Sequence, residues 1–429
     1  MITEEYDRSL RYLYGLQKYG IKFGLSATTN LLDRLGNPHE GLNYIHIAGS
    51  NGKGSVGAMI SSILTRAGYR VGYFTSPHLI DFTERFRIND NDVSRQRIVE
   101  IFNEVREKVL DEQPPTFFEI VTAMGLLYFA QEKVEWAIME VGMGGRLDAT
   151  NVINPQLCLI TSLSLEHKEY LGSTLTAIAR EKAGIIKRGV PVITGVRQPS
   201  ALAVIKAKCC NKGSPLWKYK RDFQVRRHKR GLFDYQGHEW QFKGLEVKLL
   251  GDHQIFNATL ALAGLEVANH KHNVLVSLDD VERGLLHVKW PGRLEVLEQD
   301  PILVLDGAHN PAGAEALHLS LQKEFRYKKL HLILGIMHDK DCMGILKRLV
   351  PFANSVIFTR PHFDRSADPE RLRTLARPLH KRLYVIPDVL DAINQTRNIA
   401  SKDDLICIAG SLYLVGEVKE LYKTGHLKR

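Results

Sequence analysis

The 429-residue sequence predicts an α/β protein. It reads as a P-loop domain on an open, mainly parallel sheet with added β-hairpins, followed by a smaller Rossmann-like α/β domain. Three observations carry this. Short apolar runs alternate with helix-period segments from residue 44 to 195; a glycine-rich turn holding a lysine joins the first run to a helix; and a fresh alternation begins near residue 302.

In chain order, the strands expected in the first domain are 44–48, 71–74, 136–141, 157–161 and 190–194. Val56, Met59, Ile60, Ile63, Leu64 and Ala67 recur at helix-face spacing between the first two. The apolar stretch 120–130 is a second helix. Residues 217–223, 232–235, 239–242 and 247–250 are short runs with turn-like breaks, so hairpins added to the sheet are expected there. A helix follows at 256–269. Trp290-Pro291-Gly292-Arg293 then breaks the pattern, and strands at 302–305, 330–334, 355–359, 383–386 and 405–409 build the next domain. The expected division is 1–293 and 294–429.

Composition narrows the partners. The net charge is +10, but residues 1–293 carry a surplus of 7 and residues 294–429 a surplus of 3. Charge spread so thinly argues against a nucleic-acid arm. The densest basic stretch, 217–230, holds seven Lys/Arg with aromatics between them. An edge hairpin blocked by charge is favoured there over a nucleic-acid face. Five irregularly placed cysteines fit a reducing compartment. The start, M-I-T-E-E-Y-D-R-S-L, is not a signal peptide, and no apolar run approaches the roughly 20 residues a membrane span needs. A cytoplasmic protein without membrane or nucleic-acid partners is expected.

The strongest local signal is Gly49-Ser50-Asn51-Gly52-Lys53-Gly54-Ser55 between a strand and a helix. Glycines allow close backbone approach to phosphates, Lys53 can reach the outer phosphates, and Ser55 offers a hydroxyl at the helix start. Three polar residues follow other strands: Ser76, Glu140 and His167. Ligands of open α/β sheets gather at the carboxyl ends of strands, and a hydroxyl, a carboxylate and an imidazole there suit a divalent ion.

Several blocks appear in order: A-G-S-N-G-K-G-S at 48–55, T-S-P-H-L at 75–79, E-R-F-R-I-N at 84–89 and T-F-F-E at 116–119. M-E-V-G-M-G-G-R-L-D-A-T-N at 139–151, E-K-A-G-I-I-K at 181–187, W-P-G-R at 290–293, L-D-G-A-H-N-P at 305–311 and A-G-S-L-Y at 409–413 complete the series. Together they resemble the Mur-ligase superfamily of ATP-dependent amide ligases, in its folate branch of folylpolyglutamate and dihydrofolate synthases. Only 48 residues precede Gly49, too few for the N-terminal domain of the cell-wall branch.

The resemblance implies ATP bound through Gly49, Asn51, Gly52, Lys53, Gly54, Ser55, Asn257, Arg293, Asp306 and His309. It implies two Mg²⁺ sites at Ser76, Glu140 and His167, and a carbamylated Lys182; a monovalent cation stays open. Thr116, Phe117, Phe118, Glu119, Leu147, Asp148 and Ala149 align with pterin-side contacts. Lys53, Lys182, His167 and Arg293 are the expected catalytic set. Blander readings stand beside these: an exposed helix lysine for Lys182, a strand-ending turn for Asp306–Pro311, core packing for the phenylalanines. One departure from the family pattern is Glu166, where Asp usually precedes the histidine.

The implied reaction joins L-glutamate to a folate, and also to 7,8-dihydropteroate, through an acyl phosphate, in a monomer. A monofunctional folylpolyglutamate synthase is the alternative, and a basic, nucleotide-dependent nucleic-acid-binding protein is the alternative from another class.

Overall fold

The computed structural model describes residues 2–20, 24–110, 114–228 and 231–427. The chain divides into two compact units. One comprises Met1–His78, Phe82–Lys248 and Phe256–Val288; the other comprises Leu79–Asp81, Leu249–Ile255 and Lys289–Arg429.

The first unit is built on eight strands: β1 (Asn43–Ala48), β2 (Val71–Phe74), β3 (Phe86–Ile88), β4 (Asn91–Asp92), β5 (Trp136–Glu140), β6 (Leu157–Ile160), β7 (Val192–Thr194) and β8 (Leu216–Lys218). Their order is β4-β3-β2-β5-β1-β6-β7-β8. From β2 to β8 every pairing is parallel, and β3 and β4 add an antiparallel ribbon. β2, β5 and β6 are buried throughout, as strands covered by helices on both faces must be. That is why their sequences are continuous apolar runs. Helices α1 (Lys53–Arg66), α2 (Phe117–Gln131) and α3 (Leu175–Lys182) follow the strands.

The expected hairpins are present, with a difference in the sheet they join. β9 (Gln224–Arg227), β10 (Phe233–Gln236) and β11 (Gln241–Leu245) form their own antiparallel sheet in the order β11-β10-β9 rather than extending the main one. The expected strand 217–223 is split. Its start joins β7 as β8, and the chain then turns where the Lys218 amide donates to Asp222 Oδ2 at 2.6 Å. Residues 247–250 form no strand; the Lys248 amide donates to the Leu285 carbonyl instead. Arg226 and Arg227 lie on β9, an edge strand, while Lys229 and Arg230 of the same basic stretch lie outside the described residues.

The second unit holds β12 (Glu295–Gln299), β13 (Ile302–Asp306), β14 (Leu330–Leu334), β15 (Ser355–Phe358), β16 (Leu383–Val385) and β17 (Leu405–Ala409). Their order is β12-β13-β17-β14-β15-β16, parallel except for β12. β12 was not expected from sequence because its residues are partly exposed and charged at Glu295 and Glu298. Helices α4 (Pro311–Glu324) and α5 (Cys342–Leu349) pack on one face of this sheet, and α6 (Leu412–Lys423) on the other. No described helix is long and apolar enough to cross a membrane.

An imidazole is buried inside the first sheet. His46 of β1 is fully buried, with Nε2 2.9 Å from Thr150 Oγ1. Thr150 donates to Asp148 Oδ1 at 2.5 Å, and Asp148 Oδ2 accepts from the Met143 amide at 2.9 Å. Burial, with Lys187 nearby, pushes His46 down to about 3 from its ordinary 6.5. A base with a depressed folded value stays neutral in the native state while the unfolded chain takes up a proton. Its contribution to stability is therefore whole above pH 6.5 and is lost as pH falls toward 3. Urea unfolding of the wild type and His46→Gln across that window checks this, the variant showing a shallower fall; equal slopes would remove His46 as the cause.

Candidate nucleotide and ligation site

β1 delivers the chain into Gly49, at φ +154°, and Gly52, at φ +86°, which caps α1. Both positions need glycine for two reasons: the positive φ, and the close neighbours. A Cβ at Gly49 would collide with Thr161 Oγ1, and one at Gly52 with Asn257 Oδ1. Asn257 is thereby placed against the loop, and Ser55 lies buried in the first turn of α1.

A serine- and threonine-rich turn after β6 braces this loop. The Ser50 amide donates to the Ser162 carbonyl at 2.7 Å, and Thr161 Oγ1 to the Asn51 carbonyl at 2.7 Å. The Ser164 amide donates to Ser50 Oγ at 3.0 Å. Sequence reasoning missed these partners; their signal was the run Thr161-Ser162-Leu163-Ser164 at a strand end.

Two lysines converge on one oxygen. Lys53 Nζ donates to the Gly49 carbonyl at 3.1 Å and Lys182 Nζ to the same oxygen at 2.9 Å. Lys182 is only 2% exposed, so it is not a solvent-facing helix lysine. Its other partner is Glu166 Oε1 at 2.7 Å. Burial alone would raise the Glu166 carboxyl, but Lys182 and Lys53 more than offset it and hold it at about 2. Burial pushes Lys182 down, and Glu166 opposes that.

Glu140 ends β5 beside the loop, 5% exposed. It accepts a hydrogen bond from Thr75 Oγ1, and its Oε1 stands 4.0 Å from Lys53 Nζ. Ser76, the residue expected to serve a metal ion, follows Thr75 in the chain and is half-buried. His167, at φ +43°, caps the short helix Lys168–Leu171. Among the described residues no three His, Cys, Asp or Glu side chains gather as a metal-holding group. A buried carboxylate with hydroxyls beside a phosphate loop nevertheless offers the hard oxygen donors that Mg²⁺ takes alongside phosphate and water.

Thr116 and Glu119 form a capping box that starts α2: the Thr116 amide donates to Glu119 Oε2 at 2.6 Å, and the Glu119 amide to Thr116 Oγ1. These two polar side chains therefore serve the helix. Phe117 stacks on Tyr14 at 5.7 Å, with the Arg85 guanidinium 5.4 Å from its ring. Phe118 lies over Gly142, where a Cβ would clash, which brings the T-F-F-E block against the loop running to Leu147, Asp148 and Ala149. Asp148 spends both carboxylate oxygens within that loop.

In the second unit, Asp306 ends β13 and accepts from the Leu294 and Ala308 amides, each at 2.9 Å. The turn reading of this motif thus holds. Burial raises its carboxyl, with Arg293 and His253 opposing. Arg293 Nη1 donates to the Gly292 carbonyl at 3.1 Å, and His309 Nδ1 is 2.8 Å from the Gly307 carbonyl.

A phosphate loop leading one α/β unit, followed by a second such unit, is the arrangement that the resemblance to ATP-dependent amide ligases implies. Residues 47–265 match the Mur ligase middle domain and residues 292–412 the Mur ligase glutamate ligase domain. The chain belongs to the Mur ligase family, within its dihydrofolate synthase/folylpolyglutamate synthase branch. It is 35% identical to the dihydrofolate synthase/folylpolyglutamate synthase of Bacillus subtilis, over 97% of this chain and 99% of that protein. The crystal structure of the Thermotoga maritima folylpolyglutamate synthase is 40% identical, with a TM-score of 0.86, covering 99% of this chain and 98% of that one. The Mycobacterium tuberculosis folylpolyglutamate synthase complexed with ADP is 33% identical, with a TM-score of 0.91, covering 97% and 98%.

Replacing Glu166 by Gln leaves the Lys182 charge buried without its counter-ion, so a loss of about 3 kcal/mol is expected in urea unfolding. An unchanged midpoint would mean that the pair contributes nothing. Gly49→Ala should abolish ATP protection in a thermal melt while the apo fold persists.

Proposed function

We propose that this chain joins L-glutamate to the carboxylate of a folate at the expense of ATP, and also to 7,8-dihydropteroate. The observation that carries this is the pair of lysines on the Gly49 carbonyl, set in a phosphate loop of a chain whose relatives bear those two names.

A carboxylate resists attack because its charge repels nucleophiles and oxide does not leave. Phosphorylation removes both obstacles. In this reading the amides of Asn51–Ser55 and the Lys53 ammonium hold the ATP phosphates, and Asn257 lies against the same loop. Lys53 and Arg293 balance charge on the transferring phosphoryl group. The amine of glutamate then attacks the acyl phosphate, and phosphate leaves. Glu140, Ser76 and His167 would hold Mg²⁺, which supplies charge neutralisation on the phosphate oxygens. Asp306 and His309 belong to the nucleotide contacts of the second unit, and Phe117 and Phe118 offer ring faces to the pterin.

Lys182 is the residue proposed for carbamylation. Its burial favours the neutral amine that carbon dioxide requires, while Glu166 holds the same nitrogen as an ion pair, so a carbamate needs Glu166 to move aside. We place the enzyme in the cytoplasm as a monomer acting on small molecules, a setting that its free cysteines suit. Against a nucleic-acid role, Arg221 and His228 of the basic stretch are paired with Asp222 and Asp234.

With ATP, Mg²⁺, tetrahydrofolate and glutamate, ADP release should require glutamate, and the product mass should rise by glutamate units. Lys53→Ala should lower kcat/KM roughly a hundredfold. Turnover without glutamate dependence would defeat the assignment. Dihydropteroate in place of tetrahydrofolate decides between one activity and two.

A further inference from the structure

His46 departs from the pattern of its strand. The other buried residues of β1, Tyr44, Ile45, Ile47 and Ala48, are aromatic or aliphatic. An aliphatic side chain at 46 would fill the sheet with no polar atom to satisfy. A buried imidazole costs free energy unless its nitrogens find partners, and here one does not. Nε2 meets Thr150 Oγ1, whereas Nδ1 is buried with no hydrogen-bond partner among the described residues. Sheet packing does not call for this residue; what Nε2 holds does.

The far end of this chain of bonds sets its direction. Thr150 Oγ1 gives its one proton to Asp148 Oδ1, so toward His46 it can only accept. His46 Nε2 therefore carries the hydrogen. Asp148 Oδ1 also takes the Thr150 amide at 3.0 Å. All three residues are buried, so water cannot stand in for a lost partner. The loop held in this way, 142–151, is fixed on its other side by α3 and the turn after it. There the Arg146 amide donates to the Glu181 carbonyl at 2.8 Å, and Asn151 Nδ2 to the Gly184 carbonyl at 3.3 Å. His46 supplies the tie toward β1, three residues before Gly49. One strand thus carries the phosphate loop and, through a side chain, the loop of Leu147, Asp148 and Ala149.

We propose that His46 is a positioning residue for the pterin end of the folate substrate. Through Thr150 it fixes the Asp148 carboxylate, and with it the peptide groups of 147–149 that the ring would meet. It does so without touching substrate. This rests on the folate reading above. A pterin is flat and carries donors and acceptors along its edge, so its partners must be held to within about 0.5 Å. The phosphate loop is braced separately, by the 161–164 turn and by Lys182. A change at 46 therefore reaches the folate far more than the nucleotide.

The test follows ADP release by the full chain, with ATP, L-glutamate and tetrahydrofolate varied in turn. His46→Leu deletes the donor at comparable volume. It should raise the tetrahydrofolate KM roughly tenfold and leave the ATP and glutamate KM values within about twofold. His46→Gln sets an amide N–H near the place of Nε2 and should recover most of that loss. Thr150→Val breaks the same path at its next link, so it should match His46→Leu, and the double variant should be no worse than either. If His46→Leu does not fold, Thr150→Val is read in its place. An unchanged tetrahydrofolate KM overturns the proposal, as does a rise shared by all three substrates. Equal losses in the Leu and Gln variants, or losses that add in the double variant, overturn it too. Absence of glutamate-dependent ADP release in the wild type rejects the ligase reading itself. Calorimetric titration with dihydropteroate and no glutamate repeats the comparison as Kd, so the two readings fail separately.

Discussion

The carbonyl oxygen of Gly49 accepts from two ammonium groups, and much of the first unit is arranged around that fact. Two like charges on one acceptor repel strongly where water is scarce. They stay together because Glu166 contacts Lys182 directly and Glu140 stands near Lys53, so each cation has an anion of its own. The arrangement is electrostatically balanced without ligand, and it favours a ligand whose own negative charge can take over from a carboxylate. A nucleotide phosphate is such a ligand. In the proposed reaction the lysines would be positioned before binding, the condition under which charge stabilisation contributes most to phosphoryl transfer.

The parallel sheet makes this convergence affordable in sequence terms. β1, β2, β5 and β6 end near one another, so short segments far apart in the chain supply the loop, Thr75, Glu140 and the 161–167 turn. Several of their polar side chains bond to one another or to the loop backbone. Thr161 and Ser162 hold the Asn51 carbonyl, and Ser50 holds the Ser164 amide. The loop's shape is therefore imposed by the strand beside it as much as by its own glycines.

The strands and the phosphate loop were legible because their signals are local: buried parallel strands are apolar runs, and a turn needing positive φ shows its glycines. Glu140 was legible as a polar residue at a strand end. What stayed hidden depends on pairing across the chain. Nothing local says that Lys182 is buried, since a lysine near the end of an amphipathic helix ordinarily faces water; its partner lies 16 residues earlier at Glu166. The hairpins misled for a similar reason. Short strands declare their own extension, but not which sheet they join. β12 was missed because an edge strand with partly exposed residues lacks the alternation that marks a covered one.

The Thr116–Glu119 block shows why a polar motif can be read in two ways at once. Its capping box satisfies the backbone groups that open α2, a purely structural task. Yet this fixes the direction in which Phe117 and Phe118 leave the first turn, toward Tyr14 and Gly142 respectively. The polar residues need not touch a ligand to matter to one. By setting the helix start, they fix where two aromatic faces stand, and a flat ring binding there would depend on residues that never contact it. Asp148 works in the same manner, with its oxygens turned inward to shape the loop that Phe118 covers. In both places the fold and the site are served by one set of hydrogen bonds, so a substitution chosen to probe binding there also alters the scaffold that presents it.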